Sequence, residues 1–254
     1  MVGRGQADDG LKLLDKALTI DPKQPFALLF RSQANAGLGR WREAFRDADR
    51  LIALPPREIN RAGYVNEAGS LLDFHLVALG LRAWLHEGTG RDDRAGADLD
   101  AGVSYRPSVQ AYQARASFLS RQKGREIDAL RDWDILASIA PGMWSYPYNK
   151  GLMLMRLQRW AEAVQSFDRA VEIEPEDGMT YQMRGVSLKE LGRFDEAFSD
   201  FTTAIEHDPS LISRHLGRLE TAGYYADRKR PEELTPLLRD ALKACSLDPD
   251  CRMP

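Results

Sequence analysis

The chain has 254 residues, 43% of them hydrophobic and 29% charged, with a formal net charge of -3. This composition is typical of a soluble globular protein, and the nearly balanced charge gives no general attraction to nucleic acid or to an anionic membrane. Because no stretch is apolar for long enough to span a bilayer, we expect no nucleic-acid partner and no membrane partner.

The prolines of the sequence mark an internal period of 34 residues. Two intervals are longer, 51 and 40 residues, which indicates two insertions. A period of this length is typical of helical-repeat proteins. The prolines in phase are Pro22, Pro56, Pro107, Pro141, Pro175, Pro209 and Pro249.

Other residues in the same phase predict a pair of antiparallel helices in each period. A glycine such as Gly192 ends the first helix, because glycine adopts a positive φ at little cost. The second helix carries a small, a bulky and a small residue on one face, as in Ala163, Phe167 and Ala170. Small residues let the two helices approach closely, and the proline ends the second helix.

In chain order, the pattern predicts a single α-helical solenoid over residues 1–254, divided into seven units and one insertion. Residues 1–22 correspond to a second helix without its partner. The second helix of the last unit is predicted to begin at Pro231 or at Pro236. The other segments are a repeat at 25–58, an insertion at 59–75, repeats at 76–109, 110–143, 144–177 and 178–211, and a divergent repeat at 212–254.

The insertion at 59–75 leaves two structures open. Val65–Glu87 contains no proline and is rich in apolar residues, so the insertion extends the following helix toward its N-terminus, with a break at Gly69-Ser70 as a variant. Alternatively, it forms a separate short helix that packs back on the repeats.

The segment Met179–Pro209 resembles the tetratricopeptide repeat family. The resemblance extends over nearly all of the chain outside the insertions. It implies a right-handed superhelix of helix pairs in which the first helices line a concave surface, and it implies binding of a protein or peptide partner. The matching residues in this segment are Tyr181, Gly185, Leu188, Gly192, Phe194, Ala197, Phe201, Ala204 and Pro209.

One face of each first helix remains after its packing face is assigned. By the resemblance, this face lines the concave groove, and it carries more apolar residues than a solvated groove should. The alternative is that tight curvature buries these residues inside the protein. The candidate peptide-binding residues are Trp84, Phe118, Arg121, Tyr148, Leu152, Met155, Arg156, Met179, Gln182 and Val186.

The first helix of the chain is expected to expose an apolar flank. Leu11, Leu14 and Leu18 form a stripe that no preceding repeat covers, whereas solenoids need polar ends. Either the chain is cut from a longer protein, or a second copy covers this end and makes a homo-oligomer.

The sequence contains no motif for catalysis, metal binding or cofactor binding. We therefore predict no catalytic residue, no metal site and no cofactor. His207 is predicted to be a partly buried structural residue, since other repeats have apolar residues there. Cys245 is predicted to lie in the core and Cys251 to be exposed, and a disulfide between them is the less favoured alternative.

The favoured function is a scaffold that binds a partner segment in the apolar-lined groove. The alternative is a self-association or regulatory module of a larger protein, and an enzyme is the class least supported. The start of the chain lacks the apolar segment of a signal peptide, and two cysteines are too few for a disulfide framework. A cytoplasmic location is expected, or a periplasmic or exported one if a signal peptide was removed.

Overall fold

The computed structural model describes residues 4–59, 73–227, 231–248 and 250–251, and these residues form helices and connecting turns without a strand. The all-α class predicted from the sequence is confirmed in this part of the chain. None of the helices there combines the length and the apolar character that crossing a membrane requires.

The chain divides into two compact units, residues 1–118 and 119–254. The repeat boundaries inferred from the prolines stay a prediction. In the first unit the helices are α1 (Arg4–Ile20), α2 (Pro25–Gly37), α3 (Trp41–Ala53), α4 (Pro56–Ile59), α5 (Phe74–Gly88), α6 (Asp92–Tyr105) and the larger part of α7 (Val109–Arg121). The second unit continues with α8 (Glu126–Ile139), α9 (Ser145–Arg156), α10 (Trp160–Ile173), α11 (Gly178–Glu190), α12 (Phe194–His207), α13 (Leu211–Thr221) and α14 (Pro236–Leu247).

A left-handed residue follows each of five first helices, at the position where the sequence pattern predicts a turn. Gly39, Gly90, Gly124 and Gly192 have φ of 73°, 69°, 82° and 74°. Gln158 has a φ of 56° in the same place after α9, although it is not a glycine. Because this conformation costs a residue with a Cβ roughly 1 kcal/mol, the turn after α9 is less favourable than the glycine turns of the other repeats.

Small residues bring the paired helices together, as the sequence pattern predicts. Ala197 and Phe201 of α12 are fully buried, and the Phe201 ring occupies the space above Gly185 of α11. A Cβ at Gly185 would lie 2.8 Å from Cε1 of Phe201. In the preceding pair, a Cβ at Gly151 would lie 2.6 Å from Cε1 of Phe167. The bulky ring of the second helix therefore requires a glycine on the first.

The helix after the insertion begins later than one of the two sequence interpretations requires. Asp73 has an extended backbone, and its carboxylate accepts hydrogen bonds from the backbone N–H groups of His75 and Leu76. These bonds satisfy free donors at the first turn of α5 and fix its start at Phe74. A single unbroken helix over Val65–Glu87 is therefore wrong, and residues 60–72 lie outside the described part of the chain.

The apolar stripe of α1 was assigned to the wrong surroundings. Leu11 and Leu18 are buried and Leu14 is partly buried, because α1 packs against α2, the helix that follows it. The large apolar residues that α1 exposes are Leu13 and Ile20. The expected uncovered flank is therefore absent at these three leucines, and so is the basis it gave for a homo-oligomer.

The C-terminal segment forms a disulfide that the sequence analysis disfavoured. Cys245 and Cys251 are bonded, with their Cα atoms 5.3 Å apart, and both side chains are buried. The expectation of an exposed Cys251 is wrong, because the chain turns back over α14 after Asp248. The buried ammonium of Lys189 also donates to the backbone oxygens of Cys245 and Asp248, so α11 holds the C-terminal end of α14.

Thr235 decides where the last helix begins. Its hydroxyl accepts from the backbone N–H of Leu238, and Pro236 occupies the first helical position. Of the two sequence interpretations, the start at Pro236 is correct.

The sequence interpretation of His207 is wrong. His207 was expected to be partly buried, but it is exposed and stacks on Tyr181, with ring centroids 5.5 Å apart.

The close packing of α11 on α12 predicts that Ala197→Leu is destabilising. The added atoms have no free volume, so the free energy of unfolding should fall by ~1–3 kcal/mol. Urea unfolding followed by circular dichroism measures this loss. The control is Ala161→Leu, at an exposed position of α10, which should change stability by less than ~0.5 kcal/mol. Equal stability of both variants would contradict the packing.

Candidate functional site

A repeated arginine connects each of several first helices to two second helices. In the second unit, Nε and Nη2 of Arg184 each donate to a carboxylate oxygen of Asp200 at 2.8 Å. Nη1 of Arg184 donates to Asp168 of the preceding second helix at 2.7 Å. The hydrogen bonds to Asp200 raise the pKa of the Arg184 guanidinium. This arrangement fixes α11 against both α10 and α12.

The same arrangement occurs twice in the first unit. Arg31 bonds Asp47 and Asp15, and Arg82 bonds Asp98 and Asp49, at distances of 2.6–2.9 Å. These arginines were not among the residues predicted to be functional, although they share one phase of the repeat. Arg31, Arg82 and Arg184 each stand 25 residues before one of the prolines that mark the period.

The candidate binding residues divide between the two units. Trp84 and Phe118 belong to the first unit, and the other eight belong to the second. Trp84 is 49% exposed, whereas Phe118 is only 3% exposed and its ring lies against Gly96, where a Cβ would be 3.5 Å away. Phe118 is therefore a core residue of the first unit, and its assignment to a binding surface is wrong.

Three candidate residues lie on one face of α9. Tyr148, Leu152 and Met155 are partly buried and pack against a cluster that contains Phe167. The Tyr148 ring is 5.8 Å from the Phe167 ring, and burial raises the pKa of its phenol. These side chains are anchored at their base while part of each one stays accessible to a ligand.

Two further candidates on α11 are also partly buried. Met179 and Val186 pack against the cluster that contains Phe201 and Leu188. Since α9 contacts α11, the partly exposed residues of both helices belong to one part of the second unit. We call Tyr148, Leu152, Met155, Met179 and Val186 the α9/α11 surface.

Gln182 does not belong to this surface. Its side chain has an exposure of 0%, and its Oε1 accepts a hydrogen bond from Nε2 of His215 at 2.7 Å. Sequence reasoning assigned Gln182 to the groove by its phase, but α13 covers it through His215. Gln182 is therefore a structural residue in this structure.

The two arginine candidates are exposed. A guanidinium N–H of Arg156 donates to the backbone oxygen of Ser120, so this side chain is held near the C-terminal end of α9. Arg121 also makes a polar interaction. Both retain further N–H donors, because a guanidinium carries five of them.

No cluster of three or more metal-ligating side chains occurs among the residues with described positions.

Comparison with known proteins identifies two helix pairs of the second unit, α9 with α10 and α11 with α12, as members of a repeat family. Two models of the tetratricopeptide repeat match residues 148–177 and 180–211. Residues 148–177 and 180–211 are therefore tetratricopeptide repeats.

Solved structures share this repeat fold at low sequence identity. The C-terminal part of a TPR repeat-containing protein from Cytophaga hutchinsonii has a TM-score of 0.63 at 15% identity, over 86% of this chain and 81% of that one. MamA AMB-1 has a TM-score of 0.53 at 20% identity, over 73% and 92%. A MamA RS-1 ArsTM double mutant has a TM-score of 0.56 at 20% identity, over 75% and 97%. No curated protein matches the sequence significantly.

These findings confirm the repeat family and fold class predicted from the sequence. Tetratricopeptide-repeat proteins are in general protein–protein interaction scaffolds without catalytic activity.

The burial of His215 predicts that the protein loses stability in mild acid. Desolvation lowers the pKa of His215 to about 4, against about 6.5 in an unfolded chain. The unfolded state therefore binds the proton first, and stability is lost as pH falls from about 6.5 toward 4. Between pH 7 and pH 5 this histidine should cost roughly 2 kcal/mol of unfolding free energy.

The test compares urea unfolding at both pH values in the wild type and in His215→Gln, which removes the titration and keeps a donor for Gln182. The wild type should lose about 2 kcal/mol more than the variant. An equal loss in both proteins would mean that His215 is protonated without penalty in the folded state.

Proposed function

We propose that this chain is an interaction scaffold that holds an apolar segment of a partner protein against the α9/α11 surface. The observation that carries the proposal is the partial exposure of five apolar residues from two neighbouring first helices. Contiguous apolar side chains that stay accessible in a folded protein commonly mark a binding surface.

The residue types on this surface suit a partner that docks by shape. Tyr148 supplies a rigid ring of the kind enriched among residues that dominate binding energy. Met155 and Met179 have flexible, polarisable side chains that adapt to irregular partners. Anchoring against Phe167 restricts Tyr148 before binding, which lowers the entropy that binding must remove.

A positive charge beside the α9/α11 surface indicates which charged group the bound partner segment carries. Arg156 is exposed at the C-terminal end of α9 and follows Met155 directly. An arginine binds a carboxylate through two parallel hydrogen bonds. The proposed ligand is therefore an apolar segment with a carboxylate, either an acidic residue or a chain terminus, next to its apolar residues.

The variant Leu152→Ala with Met179→Ala removes one apolar side chain from each helix of the surface. Peptides selected from a random library for binding to the wild-type chain should bind this variant by more than ~1 kcal/mol less tightly, measured by fluorescence polarisation. Circular dichroism must show an unchanged helical content.

The matched control is Ile139→Ala with Leu237→Ala, which truncates two residues that are 51% and 52% exposed on α8 and α14. This control should keep its affinity for the same peptides. Unchanged affinity of the Leu152→Ala/Met179→Ala protein, or an equal loss in the control, would exclude the α9/α11 surface as the binding site.

We further propose that the chain acts in an oxidising compartment. The buried Cys245–Cys251 disulfide supports this, because structural disulfides persist in such compartments and are rare in the cytosol. The proposal replaces the cytoplasmic location expected from the sequence by its alternative, a periplasmic or exported one.

A disulfide at this position should stabilise the C-terminal end of the chain. The two cysteines are six positions apart in the sequence, and closing a loop of that length stabilises the folded state by about 2 kcal/mol. The unfolding free energy measured with and without dithiothreitol should differ by that amount. Two maleimide-reactive thiols in the unfolded, unreduced protein would contradict the disulfide.

A further inference from the structure

An open cleft of about 710 Å³ lies among α3, α5 and α6 in the first unit. It is not part of the surface that the sequence analysis assigned to binding. Arg82 and His86 of α5 line the cleft, whereas Trp84 between them does not. At 3.6 residues per turn, each of the two points about 160° away from Trp84 around the helix axis.

The cleft is strongly basic in a chain whose net charge is -3. Five arginines and two aspartates line it. Both aspartates, Asp49 and Asp98, are used by Arg82. In the described part of the chain no carboxylate pairs with the other four, which are exposed and stand on both sides of the cleft: Arg42 and Arg46 on α3, and Arg91 and Arg94 at the start of α6.

The neighbouring groove among α1, α2 and α3 provides a comparison within the same unit. It is lined by three arginines, Arg31, Arg40 and Arg46, and by three acidic residues, Asp15, Glu43 and Asp47. Its charges therefore balance. An excess of positive charge is a property of the cleft beside α6 and not of every groove between second helices.

The excess arises from one departure from the repeat. Three second helices, α8, α10 and α12, are preceded by an arginine that pairs with a carboxylate three residues later. Arg94 stands where that carboxylate belongs, so Arg91 has an arginine at the partner position. The usual pairs are Arg125 with Asp128, Arg159 with Glu162 and Arg193 with Glu196, each with an N–O distance of 2.7 Å.

Without its usual partner, Arg91 turns to an aromatic ring in the cleft. Its guanidinium carbon lies 5.4 Å from the centroid of the Phe45 ring, in the geometry of a cation–π contact. The indole of Trp41 lies against Gly88, where a Cβ would be 3.2 Å from it. The cleft therefore offers apolar contact area beside its free guanidinium groups.

A buried polar atom in the cleft also lacks a partner. His86 is 7% exposed, and its Nδ1 has no hydrogen-bond partner among the described residues. Its ring centroid is 4.8 Å from that of Phe45. His86 thus adds a third ring to the aromatic side of the cleft, whereas its unpartnered Nδ1 is not specific to this place, since Nδ1 of His75 and of His215 also lacks a partner among the described residues.

We propose that this cleft binds an acidic segment of a partner protein, with carboxylates on the four free arginines and an apolar side chain on Trp41 and Phe45. Arginine forks match carboxylate geometry, as Arg82 demonstrates with Asp98 in the same place. The cations stand on two helices with aromatic rings beside them, which suits an extended peptide better than a single small anion. The proposal concerns a different surface from α9/α11 and does not rest on it.

The decisive variant is Arg94→Glu, which restores the carboxylate that the repeat usually carries. It lets Arg91 form the pair seen before α8, α10 and α12, so the folded state should be at least as stable, and it reverses one charge in the cleft. The control is Arg218→Glu, an equal change of charge at an exposed arginine of α13.

The probe is an array of decapeptides in which the number of aspartates and glutamates varies and the other positions are random. Binding of the wild type should rise with the number of carboxylates and weaken at high salt. Arg94→Glu should reduce affinity for the most acidic peptides at least about tenfold, and Arg42→Gln with Arg46→Gln should act in the same direction from the other wall. Arg218→Glu should leave the affinity unchanged.

Three outcomes would overturn the proposal. The first is binding that does not depend on the number of carboxylates. The second is an equal loss in Arg94→Glu and Arg218→Glu, which would indicate a general effect of net charge. The third is binding of inorganic phosphate or of a fluorescent oligothymidylate, lost in Arg94→Glu, without binding of the acidic peptides.

Discussion

The arginine that connects one first helix to two second helices determines how successive helix pairs stack. Asp200 is only 5% exposed, and an unpaired carboxylate at this position would carry a large desolvation cost. Arg184 removes that cost through two parallel hydrogen bonds and uses its third nitrogen for Asp168 of the preceding pair. A shift of one helix pair against the next would break these hydrogen bonds and therefore leave a buried charge unpaired.

Where the arginine is absent, the connection to the preceding helix is kept by other means. Ala116 occupies the equivalent position in α7, and Arg115 beside it pairs with Asp100 at 2.9 Å. In α9 the equivalent residue is Lys150, which pairs with Asp134, while Ser166 replaces the buried aspartate. A lysine is a point charge that does not need a bidentate partner, so the loss of the aspartate leaves no charge unpaired.

The sequence period predicts which residues face a partner helix, but it does not predict what covers the remaining faces. Ala197, Phe201 and Gly185 are correct because both members of each contact lie within one period. Gln182 fails because its cover, His215, comes from α13, where the repeat diverges. Leu11 fails for the opposite reason, since the helix that covers it follows it in the chain and does not precede it.

The C-terminal disulfide and the basic cleft were missed for a related reason. After Pro249 the period ends, so nothing in the phase of the repeat places Cys251 against Cys245. The cleft depends on residues that the period does not require, and its only sequence signal is Arg94 at a position where other second helices have a carboxylate. The period is defined by the residues that the repeats share, so it does not predict the effect of a residue, such as Arg94, by which one repeat differs from the others.

A residue that departs from the repeat pattern can lower the stability of the fold. Whether other features accompany that loss of stability helps to distinguish a functional substitution from a neutral one. Gln158 adopts a φ of 56° where other repeats have glycine, yet its side chain is exposed and no described partner explains the strain. Arg94 brings a second cation beside Arg91 and removes a helix-stabilising pair, and it does so beside the partly buried rings of Trp41 and Phe45. At Arg94 the excess of positive charge lies beside accessible aromatic rings, whereas no comparable feature lies beside Gln158 among the described residues. The cost at Arg94 is therefore explained by an anionic ligand, whereas the cost at Gln158 has no structural explanation.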